Sequence, residues 1–516
     1  MVKTVSADAL RGWIIDRHEL AILDAREEGE FGSAHLFWAI NVPLSRAELL
    51  LPALLPNPRA RVVCVDDDTG LAQRLASLVE AMGGIDVAVL EGGTKAWAEA
   101  GYVLFSGVNV PSKAFGEWVE HHYGTESVDA PELEAWIRSG RRMVVLDSRP
   151  MEEFRVMSIP MGIDVPGGEL VYRIGDLAPD PSTLVVVNCA GRTRSILGAE
   201  SLRRAGIPNK VVALRNGTMG WELAGFKAAR GETATYPRGR PATADLALQR
   251  AEAFAREAGV RRIESATLAG FAAEDARTLY VFDVRAPDEF AAGHAPGTRN
   301  APGGQLVQAT DRWVAVRGAR IVLVDDDGVR GAMTAAWLRL MGHREVYTIR
   351  MADLPPLPRL AVPVLPLVES VAPADIVPGT PILDLSRSLA FRAGHAPSAV
   401  WGIRTRLARV REKLAGAAEV VVTSEDGRLA ALAATEVTVL SGAQVRVMAG
   451  GMAAWREAGL AVEADRTNPP DEACVDVNLR PYDRNNGIEA AMNAYLSWEI
   501  DLVHEIERDG TVRFGI

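Results

Sequence analysis

The chain is 516 residues long, 48% hydrophobic and 24% charged, which is enough for several globular cores and excludes a disordered polymer. Its net charge is −11 and its pI about 5.4. That excludes a general field for nucleic acid or acidic membranes, so any anionic ligand must meet a local cluster of positive groups.

The N-terminal stretch MVKTVSADALRGW has neither an apolar core nor a small-residue cleavage site, so no signal peptide is expected. No run of about 18 apolar residues predicts a membrane span. Three cysteines occur, Cys64, Cys189 and Cys474, without a CxxC pair. A disulfide framework and a zinc site are therefore not expected, and a reducing, cytoplasmic setting without metal or cofactor is.

Along the chain one pattern recurs four times. A short apolar strand ends in an aspartate, as in AILDAREEGEF (Asp24), VVLDSRPMEEF (Asp147), YVFDVRAPDEF (Asp283) and PILDLSRSLAF (Asp384). A second strand follows, RVVCV, TLVVVN, RIVLV and EVVVT, then a helix closed by Gly83, Gly206, Gly342 or Gly442, glycine being the usual residue past a helix end. A third strand comes next: VAVLEGGTKAW, VVALRNGTMGW, VYTIRMADLPP and VRVMAGGMAAW. From the aspartate to the residue past the second strand the gaps are 42 residues to Asp66, 42 to Cys189, 42 to Asp325 and 41 to Glu425. Strands alternating with helices at a fixed period predict repeated α/β units, each a mainly parallel sheet flanked by helices.

Punctuation divides the chain into units at 1–105, 125–230, 245–354 and 367–465, with a tail over 466–516. Residues 102–130 and 231–244 are expected to be linkers. In the tail, GIEAAMNAYLSWEIDLVHEIE has apolar residues near helical spacing and predicts a packed helix.

One loop carries reactive chemistry. The strand LVVVN runs into Cys189-Ala190-Gly191-Arg192-Thr193-Arg194-Ser195 and then into ILGAESLRRAG. A loop between a strand end and a helix start turns backbone N–H groups inward and forms an anion cradle. Arg192 and Arg194 would add charge-assisted hydrogen bonds, Gly191 would allow close approach, and Ser195 would cap the helix. Helix dipole and guanidiniums together would bring the thiol from about 8.5 into the range of roughly 3.5–7.5.

The order Asp-Ser-Arg, CAGRTRS after a strand, and Asn-Gly-x-x-Gly-Trp resembles a rhodanese domain, and the repeated pattern resembles rhodanese homology over residues 5–462. The resemblance implies four tandem rhodanese-like domains. It also implies a sulfurtransferase in which Cys189 takes the outer sulfur of thiosulfate as a persulfide and passes it to cyanide or another thiophile, possession of the cradle falling to residues 190–195. A protein thiol as acceptor, with the chain acting as persulfide carrier or interaction scaffold, is the alternative. The related phosphatase and arsenate-reductase signature is Cys, five residues, Arg; here Arg194 comes one residue early and Ser195 stands six past the cysteine, which favours sulfur over phosphate.

At the Cys189 position the other units carry Asp66, Asp325 and Glu425, and the paired arginines are lost, the third unit keeping only Arg330 and the fourth Arg428. These units are expected to be catalytically silent. Acidic loops could suit a divalent cation, but helix capping explains them without a metal. Cys64 is expected to be a buried hydrophobe, and Cys474 an inert thiol unless the tail folds over the second unit. His35, His294 and His395 recur where the second unit has Ser158, and Trp97, Trp221 and Trp455 recur after the glycine turn, so both sets are expected to be structural. Arg149, in the recurring Asp-x-Arg, is expected to form an ion pair with Asp147; the alternative places it at the cleft rim.

Overall fold

The computed structural model describes residues 2–515. It contains four five-stranded sheets of the same topology. In the second unit the strand order is Ser127–Val128, Val211–Leu214, Leu184–Asn188, Met143–Asp147 and Gly162–Asp164, every pairing parallel. The other three sheets repeat this order within Lys3–Leu90, Arg261–Arg350 and Ser370–Met448. All five residues of Leu184–Asn188 are buried. A run of β-branched residues suits such a central strand, because helices cover both faces of a parallel sheet.

Register corrects one expectation. The strand-end aspartate of each unit pairs with Val65, Asn188, Val324 and Thr423 in turn. The residue that follows is Asp66, Cys189, Asp325 or Ser424. In the fourth unit the counterpart of Cys189 is therefore Ser424 and not Glu425; its gap is 40 residues, because the connection between the two strands is shorter there.

The 102–130 linker contains a helix, Val110–Tyr123. It is well formed locally. Proline sits in its first turn, Gly124 closes it at φ 60°, and Val110, Ala114, Phe115 and Val119 face inward, a spacing that puts them on one stripe. The tail forms the expected helix, Ile488–Asp509. Its buried stripe is Met492, Leu496, Glu499, Leu502, Ile506 and Asp509. The linker and tail helices pack on each other, with Val110, Ala114, Leu502 and Ile506 meeting Phe37 and Phe105 of the first unit.

The largest core runs without interruption through the first three units, from Leu23 and Cys64 through Val187 and Phe254 to Leu323 and Trp337. The fourth unit has its own clusters. No helix among the described residues is long and apolar enough to cross a membrane.

Candidate active site

Cys189 is the first residue beyond the central strand Leu184–Asn188, and the site helix starts at Thr193 and runs to Arg204. The thiol donates to Ser195 Oγ at 3.6 Å, and Ser195 Oγ donates to the Arg192 carbonyl at 2.7 Å. Ser195 thus bridges the sulfur and the loop backbone and does not cap the helix. From beneath, Thr218 and Met219 donate their N–H groups to the carbonyls of Cys189 (2.9 Å) and Ala190 (3.0 Å). The Asn216-Gly217 turn permits this. Gly217 has φ 54°, and a Cβ there would lie 2.3 Å from the Cys189 carbonyl oxygen, so only glycine fits.

Elements from outside the second sheet complete the site. Arg192 makes a two-pronged ion pair with Glu117 of the linker helix, 2.7 Å at both contacts, and also reaches Glu120. Gly116 of the same helix lies on Thr193, where a Cβ would come within 2.8 Å of Cγ2. Arg194 forms a second two-pronged pair, 2.8 and 2.7 Å, with Glu153. The tail helix lies across the loop: Met492 and Leu496 pack with Ala190 and Met219, and Glu499 accepts from Thr193 Oγ1 at 3.3 Å and from the Tyr495 hydroxyl at 2.9 Å.

Two consequences depart from the sequence expectation. Both arginines already have carboxylate partners, so the loop is not an unopposed positive pocket. The cysteine is also covered, at 2% exposure. Burial pushes the Cys189 thiol up from its ordinary value, and the Glu499 charge adds to this, against the pull of Arg194 and Ser195. The expected lowering of the thiol is absent in this closed arrangement, because desolvation disfavours the thiolate more than the nearby guanidinium favours it. At Glu153 the balance is reversed: burial raises the carboxyl, but Arg194 outweighs it and holds Glu153 at about 2. Burial lowers Lys113, on the linker helix, to about 8.

The three sister loops leave the same strand end but differ in backbone and contents: Gly70, Gly328 and Gly427 enter their helices at φ 84°, 80° and 81°, whereas Arg192 enters the site helix at φ −121°. Asp66 accepts from the N–H groups of Asp68 and Ala72, both at 3.0 Å. Asp325 accepts from Gly331 N–H at 2.8 Å, and Ser424 Oγ from Ala430 N–H at 3.4 Å. The corresponding donor in the second unit is Ser195 N–H, which faces the Cys189 sulfur. In the other three units the loop's own side chain therefore occupies the N–H group that the second unit turns toward sulfur. No group of acidic, histidine or cysteine residues that could hold a metal occurs among the described residues.

Other candidates fall away from the site. Arg149 is 2% exposed, pairs with Asp147 at 2.8 and 2.7 Å and donates to the Met157 carbonyl at 2.5 Å; it lies beneath the cleft and not on its rim. Arg26 and Arg285 make the same ion pair in the first and third units. Arg330, which reads as a remnant of the paired arginines, joins Glu169 of the second unit at 2.8 Å to Glu289 and Asp327 of the third, both at 2.5 Å. Cys64 is buried within its strand. Cys474 is buried against the carbonyls of Pro469 and Pro470, which belong to the part of the tail held by Arg392 of the fourth unit. The tail does cover the second unit, but with its helix and not with Cys474. His35, His294 and His395 stack on Phe31, Phe290 and Phe391 at 3.9, 3.9 and 3.7 Å. Trp97, Trp221 and Trp455 each donate to a backbone carbonyl six residues on.

Sequence reasoning missed Glu117, Glu120, Lys113, Tyr495 and Glu499. A signal existed for one of them: Glu499 is an acid in the middle of the buried stripe Met492, Leu496, Glu499, Leu502, Ile506 and Asp509, and an acid on an inward face needs a partner or a role.

Four tandem parallel units, each with a strand-loop-helix junction at the same sheet edge, define the class. The family model described as the rhodanese-like domain matches residues 6–100, 129–224, 267–351 and 372–458, and the chain belongs to the rhodanese family. The particular likeness runs end to end. A crystal structure of a thiosulfate sulfurtransferase from Pseudomonas aeruginosa is 44% identical, covers 100% of both chains and superposes with a TM-score of 0.92. Shorter likenesses cover single units: a rhodanese-related protein from Thermoplasma volcanium, 27% identical over 20% of this chain and 97% of that one (TM-score 0.18), and a rhodanese-like domain from Anabaena sp., 24% identical over 22% and 86% (TM-score 0.19). No curated protein matches the chain.

Proposed function

We propose that the chain is a sulfurtransferase in which Cys189 carries the sulfur as a persulfide, with thiosulfate or a similar anion as donor and cyanide or a thiol as acceptor. The Cys189 thiolate attacks the outer sulfur of thiosulfate. The S–S bond of the donor breaks, sulfite leaves with the bonding pair, and Cys189 retains one sulfur as S–S⁻. An acceptor such as cyanide then attacks that outer sulfur, and thiocyanate leaves as the Cys189 thiolate returns. Arg194 opposes the effect of burial on the thiol, and Ser195 donates to the outgoing sulfur through its N–H. Residues 190–195 supply the cradle for persulfide and substrate.

The observation that carries this reading is the contrast among the four loops. In all four units the N–H six residues further on faces the position just past the central strand, and only at Cys189 does it meet a sulfur and not an aspartate or serine oxygen. The full-length likeness to a thiosulfate sulfurtransferase supports it. The covered sulfur favours a second reading, a persulfide carrier whose acceptor is a protein thiol and whose docking displaces the tail helix.

Intact mass after exposure to thiosulfate tests the proposal. Wild type is expected to gain about 32 Da, one sulfur on the cysteine, and to lose it as thiocyanate when cyanide is added. Cys189→Ser is expected to do neither. An inert wild type that accepts sulfur from a protein persulfide would replace the enzyme reading with the carrier. Phosphatase turnover without a persulfide would overturn both.

A further inference from the structure

We infer that Glu499 of the tail helix belongs to the Cys189 site and selects sulfur donors by charge, disfavouring dianions relative to donors of lower charge. The inference rests on the persulfide reading of Cys189. It extends that reading to a residue outside the four repeats.

Three observations converge. First, Glu499 is 1% exposed and lies directly on the loop, its Oε2 3.1 Å from the point that a Cβ on Gly191 would occupy. Second, that oxygen is incompletely used. Oε1 accepts from Tyr495 and Thr193, whereas Oε2 is buried with no hydrogen-bond partner among the described residues. A buried orphan carboxylate oxygen is costly, and here it stands over the reactive loop. Third, no cation pairs with it directly, although Lys113 and Arg192 both feel its charge. Arg192 is engaged by Glu117 and Glu120 and Arg194 by Glu153. Lys113 Nζ lies over the rings of Tyr495 and Trp498, at 4.7 and 4.6 Å, and makes no ion pair within 4.0 Å among the described residues.

A buried charge acts on a dianion with twice the energy it exerts on a monoanion placed alike. This gives a readout that packing alone does not. Thiosulfate and methanethiosulfonate present the same terminal sulfur. Thiosulfate carries two charges and releases sulfite; methanethiosulfonate carries one and releases methanesulfinate. Each leaves one sulfur on Cys189.

The test is the second-order rate constant for Cys189 persulfidation of the full chain by each donor, followed by intact mass. In Glu499→Gln the thiosulfate constant is expected to rise about tenfold and the methanethiosulfonate constant about threefold, as one unit of charge is removed. Tyr495→Phe removes a hydrogen bond to the same carboxylate but no charge, and is expected to keep the wild-type ratio of the two constants. Constants that change by the same factor for both donors in Glu499→Gln, or not at all, would overturn the inference and leave Glu499 a packing residue. If wild type and Glu499→Gln take sulfur from neither donor, the reading of Cys189 falls first and this inference falls with it.

Discussion

At Cys189 two opposing influences meet on one atom. Burial favours the thiol, while Arg194 and the Ser195 hydroxyl and N–H favour the thiolate, and burial wins in the closed arrangement. Only the thiolate attacks sulfur. Because the thiol is raised, the reactive fraction grows as pH rises, so persulfidation by thiosulfate should climb with pH from 7 to 9. Arg194→Gln removes the leading influence on the thiolate side and pushes the thiol further up. Its charging rate at pH 8 should fall by about tenfold, the effect of losing one nearby charge, with a parallel fall in alkylation of Cys189 by iodoacetamide. Wild-type charging that is flat across this range would contradict the assigned balance.

The elements that build the site divide into those that repeat and those that do not. The repeating ones were legible in the sequence, because period and register share a cause: strand Leu184–Asn188, the loop and helix Thr193–Arg204 reappear in every unit. The linker and tail helices were not legible as parts of the site. Glu117 and Glu499 lie 75 and 306 residues from the loop residues they bind, and no periodicity connects positions that occur once. The offset at Ser424 was hidden for a related reason, since counting from one strand to the next assumes a connection of fixed length. The Asn216-Gly217 turn was read as part of a family pattern, and the structure gives its physical purpose. Gly217→Ala would force a side chain into φ 54° and to within 2.3 Å of the Cys189 carbonyl oxygen. It should cost about 1–3 kcal/mol for the backbone conformation alone, seen as a lower urea midpoint, and should slow persulfidation because the loop loses its support.

Across the whole molecule the units without a cysteine in the loop are tied to the unit that has one. One core joins the first three units, and polar ties cross their boundaries, such as Trp337 Nε1 donating to Ser201 Oγ at 2.8 Å and Arg277 Nε to Glu19 at 2.8 Å. Arg330 is the most buried of these ties, at 1% exposure, with Glu169, Glu289, Asp326 and Asp327 around it. Arg330→Met would leave those carboxylates at the junction of the second and third units without their common cation. Breaking a buried ion pair on one side costs about 3–5 kcal/mol, and a loss of that size should appear in chemical denaturation. A midpoint unchanged from wild type would show that the carboxylates find other partners.

The way Asp66, Asp325 and Ser424 satisfy their own loops bears on how duplicated units diverge. An oxygen at that position gives the helix start a partner that sulfur supplies poorly, so exchanging cysteine for aspartate firms the local fold in the same step that removes its nucleophile. The reverse exchange would surrender a helix-start interaction of about 0.5–2 kcal/mol and regain no chemistry until suitable arginines were also in place. Substitution at this single position therefore works as a ratchet: a copy freed from selection drifts toward scaffold, and the reactive copy lasts only while its sulfur is needed.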